Sequence, residues 1–290
     1  MSSTNLVLNS SNVSNSNKNT YKLRINGGLT IAEKTKVCLT SLTVPYSWFN
    51  ISAFYGNNQF KISHVSIANV ITWYTITIPD GFYTIEDLNL FLQQELSTRG
   101  LYMLKGSLKV FFYEFVLSTT YYSVQLICSL VPNSALATTL GYTMPPASLN
   151  AGYSFGPPLN SSTALFEVNN EGFGTMIGFE VGVYPSSGAL NVSRSFLSTK
   201  TPVGSTVQSL LIRCNLVNNK LSYPSDVLDS VTINTTFGSN ITYTPSFAKF
   251  INCQSGTFSS VDVSICDQNG NEIKLLDSNC LITLLLTNDS

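Results

Sequence analysis

Charged side chains are scarce in this sequence. Lys, Arg, Asp and Glu make up 11% of the 290 residues and the formal net charge is −1, whereas about a quarter of the residues of a typical soluble domain are charged. The arginines are limited to Arg24, Arg99, Arg194 and Arg213, which form no basic stripe of the kind on which nucleic-acid affinity depends. Nucleic-acid binding is therefore not expected.

The polarity of this chain comes mainly from uncharged side chains. Ser, Thr and Asn supply about a third of the residues, so they must provide most of the exposed polar groups. A surface with so little charge favours association and suits a subunit that is largely covered by its neighbours. The alternative is the neutral surface of a secreted β protein.

Paired cysteines are also missing. Metal sites need closely spaced ligands and disulfide scaffolds need a high cysteine density, and the chain shows neither pattern. The sequence therefore predicts no metal site and buried, reduced thiols. The six cysteines stand singly, at Cys38, Cys128, Cys214, Cys253, Cys266 and Cys280.

No targeting or membrane-spanning pattern is found. The first residues, MSSTNLVLNSSN, lack the basic segment and apolar run of a signal peptide. The longest apolar runs, such as LITLLL at 281–286, are far shorter than the roughly 20 residues that a membrane-spanning helix needs. No membrane span is therefore expected.

Catalytic patterns are equally sparse. His64 is the only histidine, it lies in a strand-like run, and no G-x-S-x-G sequence accompanies it. Glu167, Glu171 and Glu180 could supply a glycosidase-like carboxylate pair only if two of them met in a cleft. No phosphate-binding or dinucleotide-binding glycine motif occurs. The sequence therefore predicts no catalytic residues and no cofactor.

The segment 267–278, DQNGNEIKLLDS, resembles a calcium loop in its first positions only. Asp267, Asn269 and Asn271 alternate, but Glu272 and Ser278 stand where an EF-hand loop needs Gly and Glu. Asn-Gly at 269–270 instead favours the turn of a β-hairpin. A hairpin is the better interpretation.

Period-2 patterns dominate most of the chain and predict a mainly all-β protein. Strand-like runs fill residues 20–78 and return after residue 190, while the region between them differs in character and includes a Pro- and Gly-rich loop at 142–158. We therefore predict a β-sandwich from residues 20–78 and 191–290, interrupted by an inserted β-rich domain at 79–190 that contains one amphipathic helix. Residues 1–19, rich in Ser and Asn, are predicted to form a flexible arm.

The predicted helix is well specified. Thr84 can cap its first turn with Asp87 in the capping-box position, and Arg99 and Gly100 mark its end. Burial of its apolar stripe is worth about 6–12 kcal/mol before entropy, so we expect the helix to pack on its own domain, at the junction with the β-sandwich, rather than wait exposed for a partner. The stripe consists of Ile85, Leu88, Leu92 and Leu96, helped by Phe91.

Six motifs together resemble the penton, or minor capsid, proteins of virophages of the Mavirus kind and of Maverick/Polinton elements. The resemblance runs in order across roughly residues 20–287. The motifs are YSWFNI (46–51), NNQFKI (57–62), IPDGFYTIEDLN (78–89), IGFEVGVYP (177–185), NNKLSYPSDVL (218–228) and the terminal DQNGN to ITLLL segment.

The resemblance implies a single jelly roll with an insertion domain and a structural rather than enzymatic role. Five copies would form the pentameric vertex capsomer of an icosahedral virion, beside capsomers of a double-jelly-roll major capsid protein. It implies location in the virion and assembly in the host cytoplasm. The Ser/Asn-rich arm would then tether the capsomer to its neighbours.

Two other functions are compatible with the pattern. A carbohydrate- or receptor-binding β-sandwich could use exposed aromatic rings, with Trp48, Trp73 and the pair Tyr121 and Tyr122 as candidates. A β-sandwich hydrolase would need Glu167 or Glu180 beside a second carboxylate.

Overall fold

A computed structural model describes residues 2–66, 68–146, 157–186 and 191–288. The strands are β1 (Ser2–Asn9), β2 (Thr20–Ile31), β3 (Thr35–Pro45), β4 (Gln59–Val65), β5 (Ile71–Thr77), β6 (Met103–Lys105), β7 (Leu108–Val110), β8 (Tyr113–Ser118), β9 (Ser123–Cys128), β10 (Leu130–Val131), β11 (Tyr142–Thr143), β12 (Ser162–Thr163), β13 (Phe166–Val168), β14 (Gly182–Tyr184), β15 (Arg194–Leu197), β16 (Ser209–Cys214), β17 (Val227–Thr232), β18 (Asn240–Tyr243), β19 (Ile251–Asn252), β20 (Gly256–Asp267) and β21 (Leu281–Asn288). The helices are α1 (Ile85–Thr98), α2 (Ser134–Thr139) and α3 (Glu171–Ile177), with a 3-10 turn at Ser10–Asn12.

The chain folds into two compact units. The first combines Met1–Phe49 with Val207–Ser290, and the second is the continuous segment Asn50–Thr206. Because the second unit lies between β3 and β16, it is an insertion within the first. The predicted mainly β class is confirmed.

The first unit is a jelly roll. One antiparallel sheet, here called sheet A, has the order β1-β21-β3-β18, with β19 also paired to β3; the other, sheet B, has the order β17-β16-β20-β2. If the two-residue strand β19 is left out and the other eight strands of this unit are numbered in chain order, sheet A has the order 1-8-3-6 and sheet B has the order 5-4-7-2. This is the pattern of two interlocked Greek keys. The second unit therefore enters between the third and fourth jelly-roll strands.

The strand alternation places the jelly-roll core. Tyr21, Val37, Ile212 and Val263 are completely buried, and along β16 and residues 261–265 of β20 buried side chains alternate with partly exposed ones. The ends of the chain meet in this core, since β1 pairs with β21 and Leu6 lies opposite Leu284.

The segment predicted as a flexible arm is largely ordered. β1 pairs with β21 along its whole length, and Leu8 is completely buried. Asn19 is also buried and donates to the Ile265 carbonyl at 3.1 Å. The Ser/Asn-rich composition suggested disorder because it offers little to bury, but alternating Leu6 and Leu8 supply enough apolar contact to fix an edge strand.

The unit boundaries also differ from the predicted ones. The predicted jelly-roll segment 20–78 includes β4 and β5, yet both strands lie in the second unit, in a sheet of order β14-β13-β4-β5. Residues 191–206, with β15, belong there as well, because β15 pairs with β9. A period-2 pattern predicts that a segment is a strand, but it carries no information about which sheet the strand joins.

The second unit contains all three helices of the described chain, whereas the sequence predicted one. The two additional helices are short and begin at capping asparagines, Asn133 for α2 and Asn170 for α3. Each is too short to show a helical apolar stripe, so the sequence pattern does not reveal it.

In the predicted loop 142–158, Tyr142–Thr143 forms β11 and residues 147–156 lie outside the described residues.

Helix α1 has the predicted start and end. Thr84 accepts a hydrogen bond from the Asp87 amide at 3.1 Å, and Asp87 accepts one from the Thr84 amide at 3.0 Å, which completes the capping box. Gly100, with φ of +67°, ends the helix. Its stripe joins the core of the second unit, where Phe60, Ile76 and Phe166 are also buried. The stripe therefore packs on its own unit, as predicted. No described helix is long and apolar enough to cross a membrane.

Candidate functional site

The only histidine is part of the interior. His64 lies in β4 and is 5% exposed. It lines, with Ser63 and Tyr113, an enclosed cavity of about 10 Å³, which holds about one water molecule at most. A substrate has no room there, so the position suits packing rather than catalysis.

The three candidate glutamates occupy separate elements. Glu167 in β13 forms an ion pair with Lys61 of β4 at 3.1 Å. Glu180 forms an exposed pair with Lys200 at 3.4 Å, and Glu171 is the first residue of α3. Glu167 and Glu180 thus each contact a lysine, and none of the three lines the apolar cavity beside α1 that is described next.

An apolar cavity of about 380 Å³ opens beside the first turn of α1. Phe82, Leu117, Tyr122 and Met176 form much of its wall, and its volume lies in the range of small-ligand sites. Of the described residues that line it, Glu86 is the only carboxylate. The carboxylate pair that a glycosidase requires is therefore missing from this cavity.

The segment that resembles a calcium loop is a turn. Asp267 accepts hydrogen bonds from the amides of Asn269 at 2.9 Å and Asn271 at 2.7 Å, and Gly270 has φ of +82°. The carboxylate is thus occupied by its own turn. The predicted second hairpin strand reduces to a single bridge between Cys266 and Glu272.

Within the described residues, no group of three or more His, Cys, Asp or Glu side chains could hold a metal ion.

The six thiols are free, and only Cys253 is not buried. Burial raises the pKa of Cys128 and Cys214 to about 12 and that of Cys253 and Cys280 to about 11. A thiol with such a raised pKa stays protonated near neutral pH and is a poor nucleophile. The predicted buried, reduced thiols agree with this arrangement.

The aromatic candidates for sugar binding are divided. Trp48 is completely buried and Trp73 is half-buried in β5, so Trp48 has no face for a sugar. Tyr121 and Tyr122 are exposed at the turn between β8 and β9, and Tyr122 also lines the 380 Å³ cavity. Only this pair keeps the exposure that the carbohydrate hypothesis needs.

The jelly roll presents the most exposed large apolar side chains of the described chain. Leu221 is 99% exposed and Tyr223 is 100% exposed, both in the loop of residues 215–226 between β16 and β17. We call these two side chains the tip. Phe247 and Phe250, in the segment between β18 and β19, are also exposed. Large exposed apolar groups of this kind mark interaction surfaces.

At the other edge of sheet B lies a polar depression of about 810 Å³. Its lining residues are Ser11, Asn12, Val13, Ser14, Lys22, Leu23, Arg24 and Asp262. Lys22 pairs with Asp262 at 3.4 Å, and Arg24 is exposed. We call this surface the depression.

Sequence reasoning missed the tip. Leu221 and Tyr223 belong to NNKLSYPSD, whose Asn, Ser and Pro residues predict a turn. The available signal was the presence of two large apolar residues, spaced two apart, inside that turn. No strand or helix period accompanies them, so the pattern did not reveal whether they are buried or exposed.

No family model and no curated protein matches this chain. Among solved structures it is similar to the crystal structure of the mavirus penton protein, with a TM-score of 0.42 and 10% identity over 99% of this chain and 98% of that one. It is also similar to a chain in the 3.5 Å cryo-EM structure of the Sputnik virophage, with a TM-score of 0.37 and 11% identity over 99% and 97%. Both similarities extend over nearly the whole chain.

Proposed function

We propose that five copies of this protein form the vertex capsomer of an icosahedral virion. The observation that carries the proposal is the complete jelly roll, with strand orders 1-8-3-6 and 5-4-7-2 and a large insertion after the third strand. The six motifs that resemble virophage penton proteins fall in order along this same architecture.

The surface chemistry supports a subunit that is covered by others. A chain with 11% charged residues that also exposes large apolar side chains on the jelly roll gains by association. The centres of obligate interfaces are similarly poor in charge.

The proposed partners are further copies of the chain and the neighbouring capsomers of a double-jelly-roll major capsid protein. A fivefold ring requires a heterologous interface, in which two different surfaces of the subunit meet. The proposed location is the capsid vertex, with assembly in the cytoplasm of the host cell.

Native mass measurement over a range of protein concentrations tests the oligomeric state. We expect a species close to five times the 31.6 kDa of the chain, with a monomer fraction that grows on dilution. A strict monomer at every protein and salt concentration, in a preparation that also fails to add to assembled capsids, would contradict the proposal.

A further inference from the structure

The tip is an ordered projection rather than a loose loop. The Asn219 amide donates to the Ser225 carbonyl at 2.6 Å, and the Ser222 hydroxyl donates to the Pro224 carbonyl at 2.9 Å. The Leu221 amide donates to the Asn219 side chain at 3.1 Å. Holding Leu221 and Tyr223 in place before binding lowers the entropy cost of using them as contacts.

The tip belongs to a larger apolar surface. The Asn218 amide donates to the Asn252 carbonyl at 3.0 Å, and the Gln254 amide donates to the Leu216 carbonyl at 2.8 Å. These bonds connect the tip loop to the segment that follows Phe250. An aromatic side chain offers ~150–250 Å², and Tyr223 is fully exposed while Phe247 and Phe250 are 70% and 42% exposed. Together with Leu221 these rings expose on the order of 500–600 Å², a large part of the roughly 800 Å² that one partner contributes to a standard interface.

Along the direction of the strands of sheet B, the depression is level with the start of the tip loop, residues 215–226. It lies at the opposite edge of the sheet. Lys22 of β2 lies opposite Asp262 of β20. Asp262 in turn exchanges two hydrogen bonds with Asn215, the first residue of the tip loop, at 2.9 and 3.1 Å. The strand order β17-β16-β20-β2 separates the two edges by about 14 Å, three strand spacings of ~4.8 Å.

A heterologous ring requires two different surfaces on each subunit that fit one another, and a projection at one edge of sheet B with a hollow at the other edge supplies such a pair. We propose that the tip of each copy inserts into the depression of the next copy. Leu221 then packs against Val13 and Leu23, and the Tyr223 ring lies over the Arg24 guanidinium, a favourable stacking contact. This inference rests on the proposed homopentamer and names its interface.

Substitutions on each side test the contact. Leu221→Ser with Tyr223→Ser removes the tip, and Ser14→Trp fills the depression. Each should change the native mass from five subunits to one, while the circular dichroism spectrum stays that of the wild type because the altered side chains are exposed. The matched control is Leu108→Ser with Tyr121→Ser, two similarly exposed side chains of the second unit, which should leave the pentamer intact.

Cross-linking tests the pairing of the two surfaces. Tyr223→Cys and Ser14→Cys, made in separate chains and mixed under mild oxidation, should give a disulfide-linked dimer. Within one chain the two positions lie on opposite edges of sheet B, beyond the ~7 Å between Cα atoms that a disulfide spans. The double variant should therefore give covalent multimers of up to five chains and no internal disulfide.

The outcomes separate this inference from the proposed function. If the wild type is a pentamer and the tip variant is also a pentamer, or if the mixed cysteine variants do not cross-link, the inference is wrong and the vertex function stands. If the tip variant is pentameric but no longer joins capsids, the tip contacts another capsid protein and the inference is again wrong. If the wild type never forms a pentamer and also fails to add to assembled capsids, the proposed function itself fails.

Discussion

Single residues in this protein show how a chain with few charges organises its interior. Asn50 and Asn57 are each 1% exposed. Asn50 accepts from the Tyr83 amide at 2.8 Å, and Asn57 accepts from the Ser52 amide at 2.9 Å and donates to the Asn50 carbonyl at 2.7 Å. Buried amides of this kind satisfy loop backbone groups without the desolvation cost of a charge. Some of the Asn-rich composition is therefore internal scaffolding rather than surface.

The Cys128 thiol predicts a specific pH dependence of stability. Burial raises its pKa to about 12, whereas in the unfolded chain the thiol loses its proton near pH 8.5. Above that pH the unfolded state binds fewer protons than the folded one, so stability that is fully present below pH 8.5 is lost as the pH rises. One thiol accounts for up to ~1.4 kcal/mol per pH unit in this window.

The measurement is the free energy of unfolding in urea between pH 7 and 10. Cys128→Ala should be less stable at pH 7 but should show a shallower decline above pH 8.5 than the wild type. Val124→Ala, a truncation of a neighbouring buried residue with no titratable group, should keep the wild-type slope. Equal slopes for all three proteins would show that the Cys128 thiol is not held protonated.

At the scale of elements, the α1 helix is the clearest case in which local signals and tertiary packing agree. Its capping box, its terminal glycine and its apolar stripe could all be read from the sequence, and all are present. The stripe packs against β8, whose Phe115 amide donates to Asn89 of the helix at 3.0 Å. What the sequence did not reveal was that β4 and β5 share the core that the stripe joins.

A charge on the buried face of α1 should unfold the second unit. Leu92 is completely buried, and Leu92→Asp both removes its apolar contacts, worth about 2–5 kcal/mol, and buries a carboxylate. Leu90→Asp lies on the same helix at a position that is 63% exposed, and should change stability by less than about 0.5 kcal/mol. Circular dichroism and thermal unfolding of both variants test this pair. A folded Leu92→Asp protein that merely fails to assemble would contradict the packing role.

The edge strand β1 shows the reverse case, in which composition misled. Residues 2–19 look like a disordered arm because Ser and Asn dominate, yet Leu6 and Leu8 are spaced for one face of a strand and meet β21 at the far end of the chain. The pairing spans nearly the whole sequence. No local window can reveal it.

At the scale of the whole molecule, the inserted unit has its two ends close together. The Asn50 side chain donates to the Gly204 carbonyl at 2.7 Å, so the two ends of the second unit lie close together. Segments with adjacent ends and their own core commonly fold independently. The core of this unit includes β4 and β5, through Phe60, Ile62 and Ile76.

The fragment of residues 50–206 should therefore fold by itself and remain monomeric, because the tip and the depression lie in the other unit. Cooperative thermal unfolding and native mass test this. The fragment of residues 79–190, which corresponds to the boundaries predicted from the sequence, lacks β4 and β5 and should not give a cooperative transition. Equal behaviour of the two fragments would show that the unit boundary is misplaced.

The sequence by itself determined the class of the fold, the α1 helix with its caps, and the neutral character of the surface, because these follow from periodicity, turn chemistry and composition, which are local properties. Only the tertiary structure decided that β1 closes the jelly roll, that β4 and β5 belong to the insertion, and that Leu221 and Tyr223 project into solvent. Strand alternation specifies two faces but not a partner, and the partners here come from residues far away in the chain. An apolar residue in a turn likewise remains ambiguous until the surrounding strands have either covered it or left it exposed.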